Sequence, residues 1–92
     1  MIYLAYLDGC ELDDAPEGPW IELRVLRPGL VLVHSEQSRS RVYHALKDHL
    51  PAGTPLLVAE LTRVPKFKGM DAGALAWARS RLPAGGSNGD DV

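Results

Sequence analysis

Five acids crowd one short stretch of this chain: Asp8, Glu11, Asp13, Asp14 and Glu17. Carboxylates at that density can offer oxygen ligands to a divalent cation. Their spacing lacks the fixed alternate positions and closing Glu of an EF-hand, so a solvated loop that keeps a neighbouring apolar strand in solution is the simpler reading. Asp8 stands apart because it closes the apolar run 2–7, and the end of a strand is a rigid place to present a carboxylate as a catalytic group or metal ligand. The opposite charge gathers later, where Arg63, Lys66 and Lys68 flank Phe67, with Arg79 and Arg81 beyond. Cations beside an aromatic ring can hold phosphates and stack a base. They can equally dock an acidic protein surface, or this chain's own acidic loop in a dimer. Trp77 lies off the apolar arc of its segment, toward Gly73 and Arg81. There it either covers the flank of a helix or anchors an interface, since tryptophan is enriched at binding hot spots.

The remaining reactive types are less suggestive. His44 and His49 are five residues apart, about 140° around a helix, so they do not make a metal-binding pair. His49 instead suits the C-terminus of a helix, where a histidine meets free carbonyls. His34 and Ser35 adjoin at a strand end, and adjacent strand residues point to opposite faces, so they should not meet as base and nucleophile. Cys10 sits among acids, which disfavour a thiolate, and as the single cysteine it excludes an internal disulfide framework. The glycines of GGSNG (85–89) have neither a preceding strand nor a following helix, so they are no phosphate loop. The expectation is a chain without a catalytic constellation and without a cofactor.

Elements that would position these residues follow from periodicity. The runs IYLAYL (2–7), LVLV (30–33) and LLVAEL (56–61) read as strands apolar on both faces. IELRV (21–25) alternates and reads as a half-exposed strand, with a short helix opened by Pro19 as its rival. Pro28-Gly29 has the form of a type II turn, whose twist fits a two-residue hairpin poorly. Ser35 or Ser38 can cap a helix running to about Leu50, with Val42, Ala45, Leu46, His49 and Leu50 on one face. Asp71 reads as the N-cap of a last helix to about Leu82, with Ala74, Leu75, Ala78 and Leu82 as its apolar arc.

These elements predict one α+β domain over residues 1–82, followed by a disordered tail over 83–92. Its architecture would be a single four-stranded, mainly antiparallel sheet with two helices packed on one face. Two helices cannot cover both faces of a sheet whose strands are apolar on both sides. A bare apolar face larger than monomers tolerate would then be covered by a second copy, by a partner protein or by a folded-back loop. With 92 residues, 46% hydrophobic, a formal charge of −2, no apolar run of membrane-spanning length and no basic leader, the chain reads as a cytoplasmic domain. Nucleic acid is not the favoured partner of so acidic a chain, and no membrane role is indicated.

From Trp20 onward the order of LVLVHS (30–35), Ser38, Leu46, Leu50, Gly53, LLVAEL (56–61), Gly69-Met70 and Trp77 resembles the small ferredoxin-like proteins labelled SinR-like. These are distant relatives of the CRISPR adaptation nuclease-fold family. The resemblance implies a ferredoxin-like fold and a dimer. In some members of that superfamily the aspartate ending the first strand, here Asp8, is implicated in metal binding. Such proteins place a long helix after the first strand; here that interval holds Pro16, Gly18 and Pro19, so the helix is short, missing or replaced.

Two functions are thereby expected. The first is a non-enzymatic interaction or regulatory module of the kind carried by phages or mobile elements. It would dimerise or bind a host protein, with Trp77, Arg63, Lys66, Phe67, Lys68 and Arg81 as contacts. The alternative is a metal-dependent, nuclease-like or nucleic-acid-binding protein using Asp8 and the basic loop 63–68.

Overall fold

β-branched and large apolar residues in short runs between Gly and Pro breakers favour strands, and among the described residues four form: β1 (Ile2–Leu7), β2 (Glu22–Arg27), β3 (Leu30–His34) and β4 (Leu56–Leu61). Two helices join them, α1 (Arg39–Asp48) and α2 (Ala74–Arg79). The computed structural model describes residues 1–10, 12 and 17–83. Glu11, Asp13 and Asp14 of the acidic stretch, and the expected tail beyond Pro83, lie outside the described residues. The strands make one sheet in the order β2-β3-β1-β4, each antiparallel to its neighbours. This is the α+β fold with a single four-stranded sheet and two helices that the sequence implies. β3 and β4 run parallel with β1 between them, and α1 is the crossover of this split βαβ unit.

The placement of the helices differs from the expectation. Tyr3, Ala5 and Leu7 of β1 share a face with Val31 and Val33 of β3, and they are buried with Val42 and Leu46 of α1. Ile2 and Leu32 point the other way and are buried with Leu26, Ala74, Ala78 and Leu82. The helices therefore cover opposite faces of the sheet, not one. The segment after β4 explains this: Val64, Phe67 and Met70 pack across the second face and deliver α2 beside β2. On the α1 face, Cys10, Leu12 and Trp20 pack against the core where a helix after β1 would have lain. Both faces thus receive partial cover from the chain itself, in part from folded-back segments, one of the three covers the sequence allows.

Local chemistry sets the element ends. Gly29 takes φ +82°, as the third position of a type II turn requires, and a Cβ there would stand 2.9 Å from the Leu7 carbonyl oxygen. The two-residue hairpin does form, with Arg27 paired to Leu30, and a register shift between Val25 and Arg27 lets it accommodate the ill-matched twist. Ser38, not Ser35, caps α1, its side chain accepting the Arg41 N–H at 3.2 Å. The buried Ser35 hydroxyl instead donates to the Pro19 carbonyl and accepts from the Gln37 N–H. Asp71 does not cap α2, whose N-cap is Gly73 at φ 86° with no side-chain hydrogen bond. The Asp71 carboxylate accepts from Arg24 at 2.8 Å, and its N–H donates to the Leu26 carbonyl at 2.8 Å.

Candidate interaction surface

Each helix shields only part of its face, because α1 contacts β4 whereas α2 contacts β2. Apart from Met1, the large apolar side chains left in solvent among the described residues lie diagonally across the sheet from that cover. On the α1 face they are Ile21 and Val25, at the β2 side. On the α2 face they are Tyr6 of β1 and Leu57 of β4, register partners directly opposite one another, 44% and 54% exposed. Half-buried Leu4, Leu30 and Ala59 continue that strip into the sheet. Large apolar side chains paired in this way make a contiguous patch, which is a stronger signature of contact than scattered exposure. The sequence marked both strands as apolar throughout; which positions stay bare depended on where α2 came to rest.

Asp8 is exposed at the end of β1, and its carboxylate accepts the Tyr6 hydroxyl proton. That bond raises the Tyr6 pKa, because a nearby carboxylate opposes phenolate formation. The Asp8 backbone N–H donates to the Pro55 carbonyl at 3.1 Å. Among the described residues, no three of His, Cys, Asp or Glu come together in a way that could hold a metal ion. Cys10 is partly buried, 3.7 Å from the Thr54 hydroxyl. His44 of α1 and His49 at its C-cap diverge: His44 meets the Tyr43 ring edge-on, whereas His49 lies against Trp20 with Nε2 2.8 Å from the Glu17 carbonyl oxygen.

Trp77 and Arg81 come together. The Arg81 guanidinium lies over the Trp77 ring at 4.3 Å and reaches both oxygens of Glu22, at 2.6 and 2.8 Å. His34 approaches the same carboxylate through Nδ1 at 3.3 Å. The paired guanidinium first, and the imidazole second, hold the Glu22 carboxyl well below its usual range, at about 2. Trp77 itself is half-buried against the Ile2–Leu32 cluster. The segment after β4 divides in the same way. Phe67 packs on that cluster, while Arg63, Lys66 and Lys68 are exposed, and Arg63 and Lys66 each make a contact within the chain. Sequence reading noticed Arg81 and passed over Glu22 and Arg24. Their place on the polar face of an alternating strand was the only signal, and it does not reveal a partner some 50 residues away.

No family model, no curated protein and no solved structure matches the chain. Among the described residues no helix is long and apolar enough to cross a membrane.

Proposed function

We propose that this chain is a small non-enzymatic protein-interaction module that acts in the cytoplasm as a homodimer. The supporting observation is the paired exposure of Tyr6 and Leu57 on a stretch of the α2 face that neither α2 nor the segment before it covers. Of the contacts expected from the sequence, Trp77 lies under Arg81 and Arg81 is held by Glu22, so the reading rests on the Tyr6–Leu57 strip and not on that pair. Burying such side chains against another protein removes apolar area from water at about 25 cal/mol per Å², a gain a second copy can share equally.

Sedimentation equilibrium of the full chain between about 1 and about 500 µM tests this, a range spanning the affinities of weak and moderate dimers. The expected result is an average mass that rises from one chain toward two. In Leu57→Asp, about tenfold more protein should be needed to reach the same mass, a loss of about 1.4 kcal/mol. A wild-type chain that stays monomeric throughout, or a Leu57→Asp variant that associates as well as wild type, would refute the proposal.

A further inference from the structure

β4 is an outermost strand, and hydrogen-bond directions define what its free side offers. The Leu7 N–H donates to the Gly29 carbonyl and the Ser35 N–H to the Met1 carbonyl, so odd-numbered residues of β1 turn their backbone groups toward β3. Even-numbered residues therefore turn theirs toward β4, as Asp8 does in donating to Pro55. Ile2, Leu4 and Tyr6 are paired with Leu61, Ala59 and Leu57. The N–H and C=O groups of Leu56, Val58 and Glu60 are consequently aimed away from the sheet. We infer that a second copy occupies this edge: β4 pairs antiparallel with the β4 of its twin about a two-fold axis at Val58, giving one continuous eight-stranded sheet. This rests on the homodimer reading and supplies its geometry.

Several features select a twin and this register. A two-fold axis perpendicular to the sheet sets an edge strand antiparallel to itself, so the pattern of donors and acceptors is self-complementary. Centring on Val58 engages all three outward residues on each side, Leu56 against the partner's Glu60 and Val58 against the partner's Val58. Each directly opposed pair then exchanges two hydrogen bonds. The two Glu60 carboxylates stay about 14 Å apart along the strands, beyond the screening length at physiological salt. Centring on Glu60 would instead set like charges face to face.

The ends of β4 are oppositely charged. Exposed Asp8 lies beside its start and exposed Arg63 follows its end, so two-fold pairing brings each Asp8 toward the partner's Arg63. A guanidinium has five donors, so Arg63 can serve that carboxylate beside the contact it already makes. Leu57 falls opposite the partner's Ala59 on the same face, so pairing buries the flank of each Leu57 against the partner's strand. The strand carries no proline, lysine or arginine that would block such pairing.

Residue-resolved amide hydrogen exchange on the full chain, at concentrations well below and well above the dimer midpoint, reads the edge directly. The expected result is an alternation: Leu57, Ala59 and Leu61 are protected at both concentrations. Leu56, Val58 and Glu60 gain protection only when concentrated, about fivefold at a total chain concentration ten times the dissociation constant. Glu60→Pro, which removes an outward N–H while leaving the β1–β4 ladder whole, should keep the monomer's circular dichroism and weaken dimerisation at least about tenfold. A dimer in which those three amides stay unprotected would overturn the edge geometry while leaving self-association standing. Protection already complete in the dilute monomer would overturn it too, showing that a segment of the same chain fills the edge. A chain monomeric at every concentration would remove both readings.

Discussion

The two outer strands of this sheet are the same length, six residues each, and are finished in opposite ways. Along β2 the chain has closed its own edge. The strand is irregular between Val25 and Arg27, runs into Pro28, and carries Arg24 and Arg27. The Asp71 N–H donates to the Leu26 carbonyl, Arg24 reaches the Asp71 carboxylate and the Ala72 carbonyl, and Arg27 donates to Gly69 at 3.1 Å. Among the described residues β4 has none of these devices: its register with β1 is regular, and Glu60 is its only charge. Soluble proteins blunt edges with bulges, cations, prolines and cover because an open row of backbone groups recruits another strand. A chain that applies nearly the whole set to one edge and none to the other distinguishes the two, and the contrast supports a joint at β4.

The contrast can be broken from either side. The largest effect belongs to the hairpin that ends β2. Gly29→Val would force a β-branched residue to positive φ, with its Cβ against the Leu7 carbonyl, and should cost about 2 kcal/mol or more, read as a fall in the urea midpoint. Asp71→Pro would remove both the N–H bond to Leu26 and the carboxylate that Arg24 holds, costing about 1–2 kcal/mol. Because it uncovers β2, it should also create a concentration-dependent association that Glu60→Pro does not suppress. Sedimentation of the double variant checks that.

Acid should loosen the tie between β2 and the chain after α2. The Glu22 pKa is lowered on folding, from an ordinary 4.5 to about 2, so its contribution to stability is fully present above about pH 4.5. That contribution is lost as pH falls toward 2. Urea midpoints measured across this window should fall more steeply for wild type than for Glu22→Gln. The smallest effect is expected beside β4: Arg63→Glu, which meets the partner's Asp8 with a like charge, should raise the dimer dissociation constant about two- to fivefold. Added salt should narrow the difference, as screening of exposed charges requires.

What could be read from residues and what could not divides along sequence distance. The apolar runs 2–7, 30–33 and 56–61, the Pro28-Gly29 turn and the Ser38 cap depend on neighbours a few residues away, and each appears where local chemistry puts it. The rival helix over 21–25 lost to β2 because the hairpin supplies Leu23 and Val25 with strand partners, Val33 and Val31. The side chosen by α2 was not legible. Ala74, Ala78 and Leu82 form the expected arc, but an arc says only that a helix packs, not on which face. Asp71 looked like a cap because Asp favours that position, and its engagement by Arg24, 47 residues earlier, overrode the local preference. The same long-range placement separates Trp77 and Arg81 from Tyr6 and Leu57. Covering β2 with α2 engages the first pair and leaves the second in water.

A ruler across the seam is the most direct measurement. With Cys10→Ser removing the native thiol, a spin label at Thr62→Cys would report the distance between the two copies by double electron–electron resonance. Pairing centred on Val58 sets the two label sites eight residues apart along the seam, about 27 Å between Cα atoms, and a shift of centre by one residue changes this by about 7 Å. A narrow distribution about that separation, lost in Glu60→Pro, is the expected result. A concentrated sample with no dipolar signal, or a separation far from that value, would contradict a dimer joined at β4.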